Sequence, residues 1–214
     1  MPDSHAVAAH QFDDLDQQRE AASLGIWVFI ATEIMFFGGL FTGYTVYRTQ
    51  YFTSFVAGSH LLDLKLGAVN TAVLICSSLT MALAVYAAQT GKRKLLVAFL
   101  IFTMILGSVF LGIKFVEYAT KYHHHLIPGY NFAPEGVYPP QMQLYFCFYF
   151  AMTALHALHM IIGLGLLTAL VILAGRGRFT PDSHNPVEAI GIYWHFVDII
   201  WIFLFPLLYL VGGR

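Results

Sequence analysis

Five separate stretches of this chain are each long and apolar enough to cross a lipid bilayer, and that feature decides most of what the chain can fold into. A span needs about 20 mostly apolar residues to cover roughly 30 Å of hydrocarbon. Residues 24–47, 66–88, 95–118, 144–174 and 189–211 meet that requirement. The bilayer interior holds no water to satisfy backbone N–H and C=O groups, so the spans must be helices. The expected fold is all-α, an integral membrane bundle of five transmembrane helices within residues 24–214. Composition agrees, with 58% hydrophobic and 11% charged residues against about 25% charged in a soluble domain. A water-soluble globule is excluded. The net charge of −1 gives no reason to expect nucleic acid as a partner. Cys76 and Cys147 lie in apolar runs without metal-type spacing, which indicates neither a disulfide framework nor a zinc site.

Residues 1–23 read as an acidic tail lying outside the bundle, and they lack the basic, then apolar pattern of a signal peptide. Lys and Arg in short loops set orientation. Lys92, Arg93 and Lys94 follow the second span, and Arg176 and Arg178 follow the fourth. Both loops are therefore expected in the cytoplasm, which places the N-terminus inside and the C-terminus outside, in the periplasm. The remaining connections, 48–65 and 119–143, read as outer loops.

Small and polar residues suggest how the helices meet. Gly39 and Gly43 form a GxxxG step that allows close helix approach. Asn70 and Ser77, like Thr71 and Ser78, fall two turns apart on shared faces and suit bonding between helices. Trp27 and Trp194 lie near the inner ends of their spans, where anchoring at the headgroups is the simplest role.

Ionisable side chains inside a bilayer are costly and normally face a protein interior, a cavity or a partner. Lys114 and Glu117, three apart near the outer end of the third span, can pair on one face or snorkel. Glu33, His156, His159, His195 and Asp198 lie deeper. By the 1.5 Å helical rise all five fall in one layer of the cytoplasmic half, and each i,i+3 pair shares a face. A buried polar network is expected there. Three readings of it compete. One is haem or metal ligation, although a di-iron carboxylate site wants repeated Glu-x-x-His units and none occurs. Another is a proton or ion path carried by Glu33, although the broken helices of transporters are missing. The third is structural, with the cluster fixing helix register while one face docks on a larger membrane partner. The consecutive histidines 123–125 sit in a polar loop, and three successive side chains on regular backbone cannot all reach one metal.

Four ordered segments carry a family resemblance. They are GIWVFIATEIMFFGG from Gly25 to Gly39, Asn70-Thr71, HALHMIIG from His156 to Gly163, and YWHFVDIIW from Tyr193 to Trp201. Together they resemble subunit III of haem-copper terminal oxidases, the cytochrome c and quinol oxidase subunit 3 family. The family's buried glutamate falls on Glu33. Longer members have seven helices; the five here are similar to those of bacterial quinol oxidases and some bacterial cytochrome c oxidases.

The resemblance implies a non-catalytic subunit of a proton-pumping oxygen reductase in a bacterial plasma membrane, with no catalytic residue of its own. Haem and copper would belong to partner subunits I and II, with no cofactor or metal in this chain. It further implies support for assembly, sustained turnover and proton uptake by subunit I. Bound phospholipid fits the family, and Arg176 and Arg178 are candidates to contact its phosphate on electrostatic grounds. Further respiratory complexes are additional candidate partners. Two alternatives stand beside this: the related accessory subunit of nitric oxide reductases, and a free-standing haem-binding or transport protein.

Overall fold

A computed structural model describes residues 14–129, 132–133, 139, 141–179 and 184–212. Among the described residues it is all-helical, with six helices: α1 (Leu15–Gln50), α2 (Phe52–His60), α3 (Leu64–Gln89), α4 (Arg93–His123), α5 (Met142–Gly175) and α6 (Asn185–Tyr209). Five of them, all but the nine-residue α2, are long and apolar enough to span a membrane.

Local chemistry sets the helix ends. Asp14 caps α1 by accepting the Gln17 N–H at 2.6 Å, so α1 begins at Leu15 and takes in part of what the sequence suggested was a separate tail. Residues 1–13 of that tail lie outside the described residues. Asp63 caps α3 through the N–H groups of Lys65 and Leu66 at 2.9 and 3.1 Å, satisfying donors that a helix start leaves unpaired. Between these helices, the expected outer loop 48–65 is interrupted by α2. Its buried face, Ser54, Phe55, Gly58 and Ser59, roofs one end of the bundle against α5 and α6.

α6 is the centre of the bundle. Half of its span is buried, against 11% for α1; it packs against α1, α2, α3 and α5 and reaches α4 through its side chains. Trp194, fully buried, passes between α4 and α5 at their glycines. A Cβ on Gly107 or Gly163 would come within 2.9 Å of its indole ring. This overturns the headgroup-anchor reading of Trp194; the indole fills a slot that only glycine leaves open. Trp27 stays exposed.

The GxxxG step behaves differently from expectation. Gly39 has nothing within 4 Å of where a Cβ would sit, and Gly43 meets only the Phe148 ring at 3.4 Å. Gly39 lies on the exposed side of α1, whereas Gly43 faces α5 through that ring.

The last turn of α6 is held from three directions. Tyr44 of α1 donates its hydroxyl to the Leu207 carbonyl at 2.7 Å, Tyr145 of α5 to that of Leu208 at 2.9 Å, and Ser59 of α2 to that of Tyr209 at 3.3 Å. A helix C-terminus leaves its final carbonyls unpaired, and inside a membrane protein those groups need protein donors. The end of α5 is met similarly, by the Arg93 guanidinium on the carbonyls of Ala174, at 2.9 Å, and Gly175.

Candidate functional site

The five deep ionisable residues do not form one mutually bonded cluster. The structure separates them into three stations around α5 and α6.

Glu33 and His159 make the first. α1 lays Glu33 against α5, where its Oε2 lies 3.2 Å from His159 Nε2. His159 Nδ1 is 2.9 Å from the carbonyl of Leu155, one turn back on the same helix. A carbonyl only accepts, so Nδ1 carries a proton and Nε2 is the nitrogen that meets the carboxyl. Phe37 packs on the imidazole with ring centres 5.6 Å apart, and the Tyr193 hydroxyl donates to the His159 carbonyl at 2.9 Å. The Glu33 side chain retains 19% exposure, which leaves this pair at the perimeter of the bundle rather than its centre.

His156 stands alone at the second. It is 1% exposed and set edge-on to Phe110 and tilted against Trp201, at ring separations of 5.3 and 5.2 Å. Neither of its ring nitrogens makes a hydrogen bond among the described residues.

At the third, His195 and Asp198 share the face of α6 that meets α3. Ser78 Oγ lies 2.8 Å from His195 Nδ1. Asp198 is 3% exposed, and neither of its carboxyl oxygens makes a hydrogen bond of ordinary geometry. Around this station, the α3 hydroxyls noted in the sequence meet the α6 indoles. Trp194 Nε1 donates to Ser77 Oγ at 2.9 Å and Trp201 Nε1 to Thr71 Oγ1 at 3.0 Å. Asn70, fully buried, donates Nδ2 to the Phe110 carbonyl at 3.4 Å and so joins α3 to α4.

A fourth polar group is the Lys114–Glu117 pair expected from the sequence. Lys114 and Glu117 are 4% and 2% exposed, so the cation does not snorkel. Lys114 Nζ donates to Glu117 Oε2 at 2.8 Å and to the Tyr209 hydroxyl at 2.7 Å, and that hydroxyl donates on to Glu117 Oε1 at 2.6 Å. The ammonium also lies 4.5 Å from the centre of the Trp201 ring, within cation–π range. The signal was present in the i,i+3 spacing of opposite charges. What hid its depth was the length of α4, which runs on to His123, about 14 Å beyond Lys114 at 1.5 Å per residue.

The three histidines thus turn to three different neighbours: His159 to Glu33, His195 to Ser78, and His156 to an aromatic pocket. Among the described residues no group of three or more His, Cys, Asp or Glu side chains is placed to hold a metal ion. His123, His124 and His125 are exposed, and His125 adopts a left-handed φ of 51°. Arg176 and Arg178 are exposed just beyond α5.

A multi-pass helical membrane protein, with its polar groups paired or enclosed between spans, is the class that this architecture defines. The chain belongs to the cytochrome c oxidase subunit III family, which it matches over residues 8–213. It is 30% identical over 204 residues to a protein of Staphylococcus aureus (strain USA300) named "Probable quinol oxidase subunit 3", covering 94% of each chain. A protein of the same name from Staphylococcus saprophyticus is 28% identical over 209 residues, covering 95% of this chain and 97% of the relative. The resemblance carried by the four sequence segments is confirmed. The chain is an oxidase subunit III by family, and membership implies association with other oxidase subunits.

Proposed function

We propose that this chain is the non-catalytic third subunit of a respiratory haem-copper oxygen reductase, supporting assembly, sustained turnover and proton uptake into subunit I as O2 is reduced to water. In this reading subunits I and II hold the haem and copper, and this chain holds no cofactor. The complex sits in a bacterial plasma membrane with the N-terminus of this chain cytoplasmic and its C-terminus periplasmic. Arg176 and Arg178 would then face cytoplasmic lipid phosphates.

The observation that carries the reading is the Glu33–His159 pair. A carboxyl and an imidazole 3.2 Å apart on the perimeter of the bundle support a proton-handling role that a neighbouring subunit could sense. Intramembrane ionisable groups commonly mark proton pathways. His156, His195 and Asp198 stand at separate stations and are not bonded to that pair.

The test is Glu33→Gln in the intact, purified complex, with O2 consumption followed until activity decays. The expected result is full haem content, an initial rate close to wild type, and severalfold fewer turnovers before activity is lost. An assembled complex that consumes no oxygen from the start, or one whose endurance is unchanged, would overturn the proposed role.

A further inference from the structure

The third station holds a buried carboxyl that the proposed function leaves without a task. Asp198 is 3% exposed. It lies about 20 Å from the start of α6 and about 16 Å from its end, at 1.5 Å per residue, well inside a hydrocarbon layer about 30 Å thick. Ionisable groups at such depth pair with one another or belong to proton relays.

The surroundings of Asp198 are specific. His195 and Asp198 are i,i+3 on α6, about 5–6 Å apart at Cβ. Both line a groove of about 370 Å³ against α3, together with Ser78. Ser78 Oγ lies 2.8 Å from His195 Nδ1. The same hydroxyl is the side-chain hydrogen-bond partner of the Asp198 carboxyl, outside ordinary geometry. One hydroxyl thus stands between an imidazole and a carboxyl. No other titratable or charged side chain lines this groove, nor the apolar groove between α1 and α6 that His195 also lines.

A serine hydroxyl carries one hydrogen and two acceptor lone pairs, and a neutral imidazole carries one N–H. The three groups therefore have two complete arrangements. In the first, His195 Nδ1–H donates to Ser78 Oγ, and the hydroxyl donates to an Asp198 carboxylate. In the second, the His195 hydrogen is on Nε2, the hydroxyl donates to Nδ1, and an Asp198 carboxylic acid donates to Oγ. The two differ by one proton. A carboxylate enclosed in hydrocarbon without a donor is costly, so the tautomer of His195 and the protonation of Asp198 change together.

We propose that Ser78 relays a proton between the His195 imidazole and the Asp198 carboxyl, making the α3–α6 seam a proton-storage site deep in the membrane. A hydronium ion that reaches His195 gives its proton to Nε2 and leaves as water. Nδ1 passes its hydrogen to Ser78 Oγ, and the hydroxyl passes its original hydrogen to Asp198. One N–H bond forms and one breaks, one hydroxyl O–H replaces another, and one carboxyl O–H forms. His195 is neutral before and after; the carboxylate is the group neutralised. Release runs the same steps backwards. The relay needs these three residues and rests on no role of Glu33.

The test follows the Asp198 carboxyl by infrared difference spectroscopy, in the protein purified with its native partner subunits and returned to lipid. Asp198→Asn and isotopically labelled aspartate assign its C=O band, and transfer into heavy water times the exchange of its hydrogen. Ser78→Ala and His195→Gln should each slow that exchange by about 100-fold or more, the scale of a positioned proton-transfer group. Ser78→Thr keeps the hydroxyl, has room for its methyl in the groove, and should exchange as wild type does. A purely structural serine would not give that pattern. Exchange in Ser78→Ala as fast as in wild type, exchange in Ser78→Thr as slow as in Ser78→Ala, or no Asp198 carboxyl band at any pH at which the complex stays assembled would each overturn the proposal. Oxygen reduction plays no part in the readout, so its failure and the failure of the proposed function are told apart.

Discussion

His159 presents Nε2 to Glu33 because its Nδ1 is committed to the Leu155 carbonyl one helical turn away. The helix backbone thereby fixes both the ring orientation and the tautomer, and it turns Nε2 toward the carboxyl at 3.2 Å. A double-mutant cycle measures the link. Glu33→Gln, His159→Gln and the double variant, compared by detergent unfolding, should show a coupling of about 0.5–1.5 kcal/mol, in the range for residues in direct contact. Strict additivity would mean that the 3.2 Å contact has no energetic content.

The Lys114–Glu117–Tyr209 triangle should be the most stability-sensitive polar feature of the chain. Removing one partner of a buried pair costs about 3–5 kcal/mol, because the other charge remains uncompensated. Lys114→Met and Glu117→Gln should each fall in that range. Replacing both charges with Met and Leu should cost well under the sum. Tyr209→Phe should cost about 1–3 kcal/mol through unsatisfied buried groups. Unfolding midpoints of the four variants check the ordering.

Glycine substitutions should sort by what the Cβ meets. Gly107→Ala and Gly163→Ala drive a methyl into Trp194, and overpacking of this kind costs about 1–3 kcal/mol. Gly39→Ala meets nothing in this chain and should leave the isolated chain as stable as wild type or stabilise it by up to about 1 kcal/mol. Thermal unfolding of the purified chain reads the contrast. Subunits that co-purify with wild type but not with Gly39→Ala would place that face of α1 at a subunit contact.

Truncating the hydroxyls at the end of α6 should loosen the same turn from separate helices. Tyr44→Phe and Tyr145→Phe each remove the donor to a terminal carbonyl, at about 1–2 kcal/mol apiece. Hydrogen exchange of the final α6 amides should rise in both, with α3 and α4 unchanged.

The spans were legible because hydrocarbon thickness imposes a length that no other fold requires. Helix ends were less so: α4 continues to His123, and Lys114 is enclosed by Tyr209 and Trp201 of α6, contacts that spacing along α4 does not reveal. The deep ionisable residues were found by their cost, but their separation into stations was not readable. The stations depend on which way α5 and α6 rotate about their axes. That rotation is set by contacts such as Trp194 with Gly107, 87 positions apart in sequence. Helix α2 was missed because nine residues that roof a bundle carry no membrane-span signal. Of the GxxxG pair only Gly43 meets another helix of this chain, because the pattern records that a helix face is flat and not which partner meets it.

The clasp on the last turn of α6 also bears on how the chain is made. α6 leaves the ribosome after α1 to α5, yet Tyr44, Ser59 and Tyr145 on three earlier elements find their acceptors on it, and Ser77 and Thr71 find their donors there. Until it inserts, the earlier helices have a membrane address but no closed interior. A chain cut short before residue 207 would present those hydroxyls to lipid, giving membrane quality control a direct chemical mark of an unfinished product.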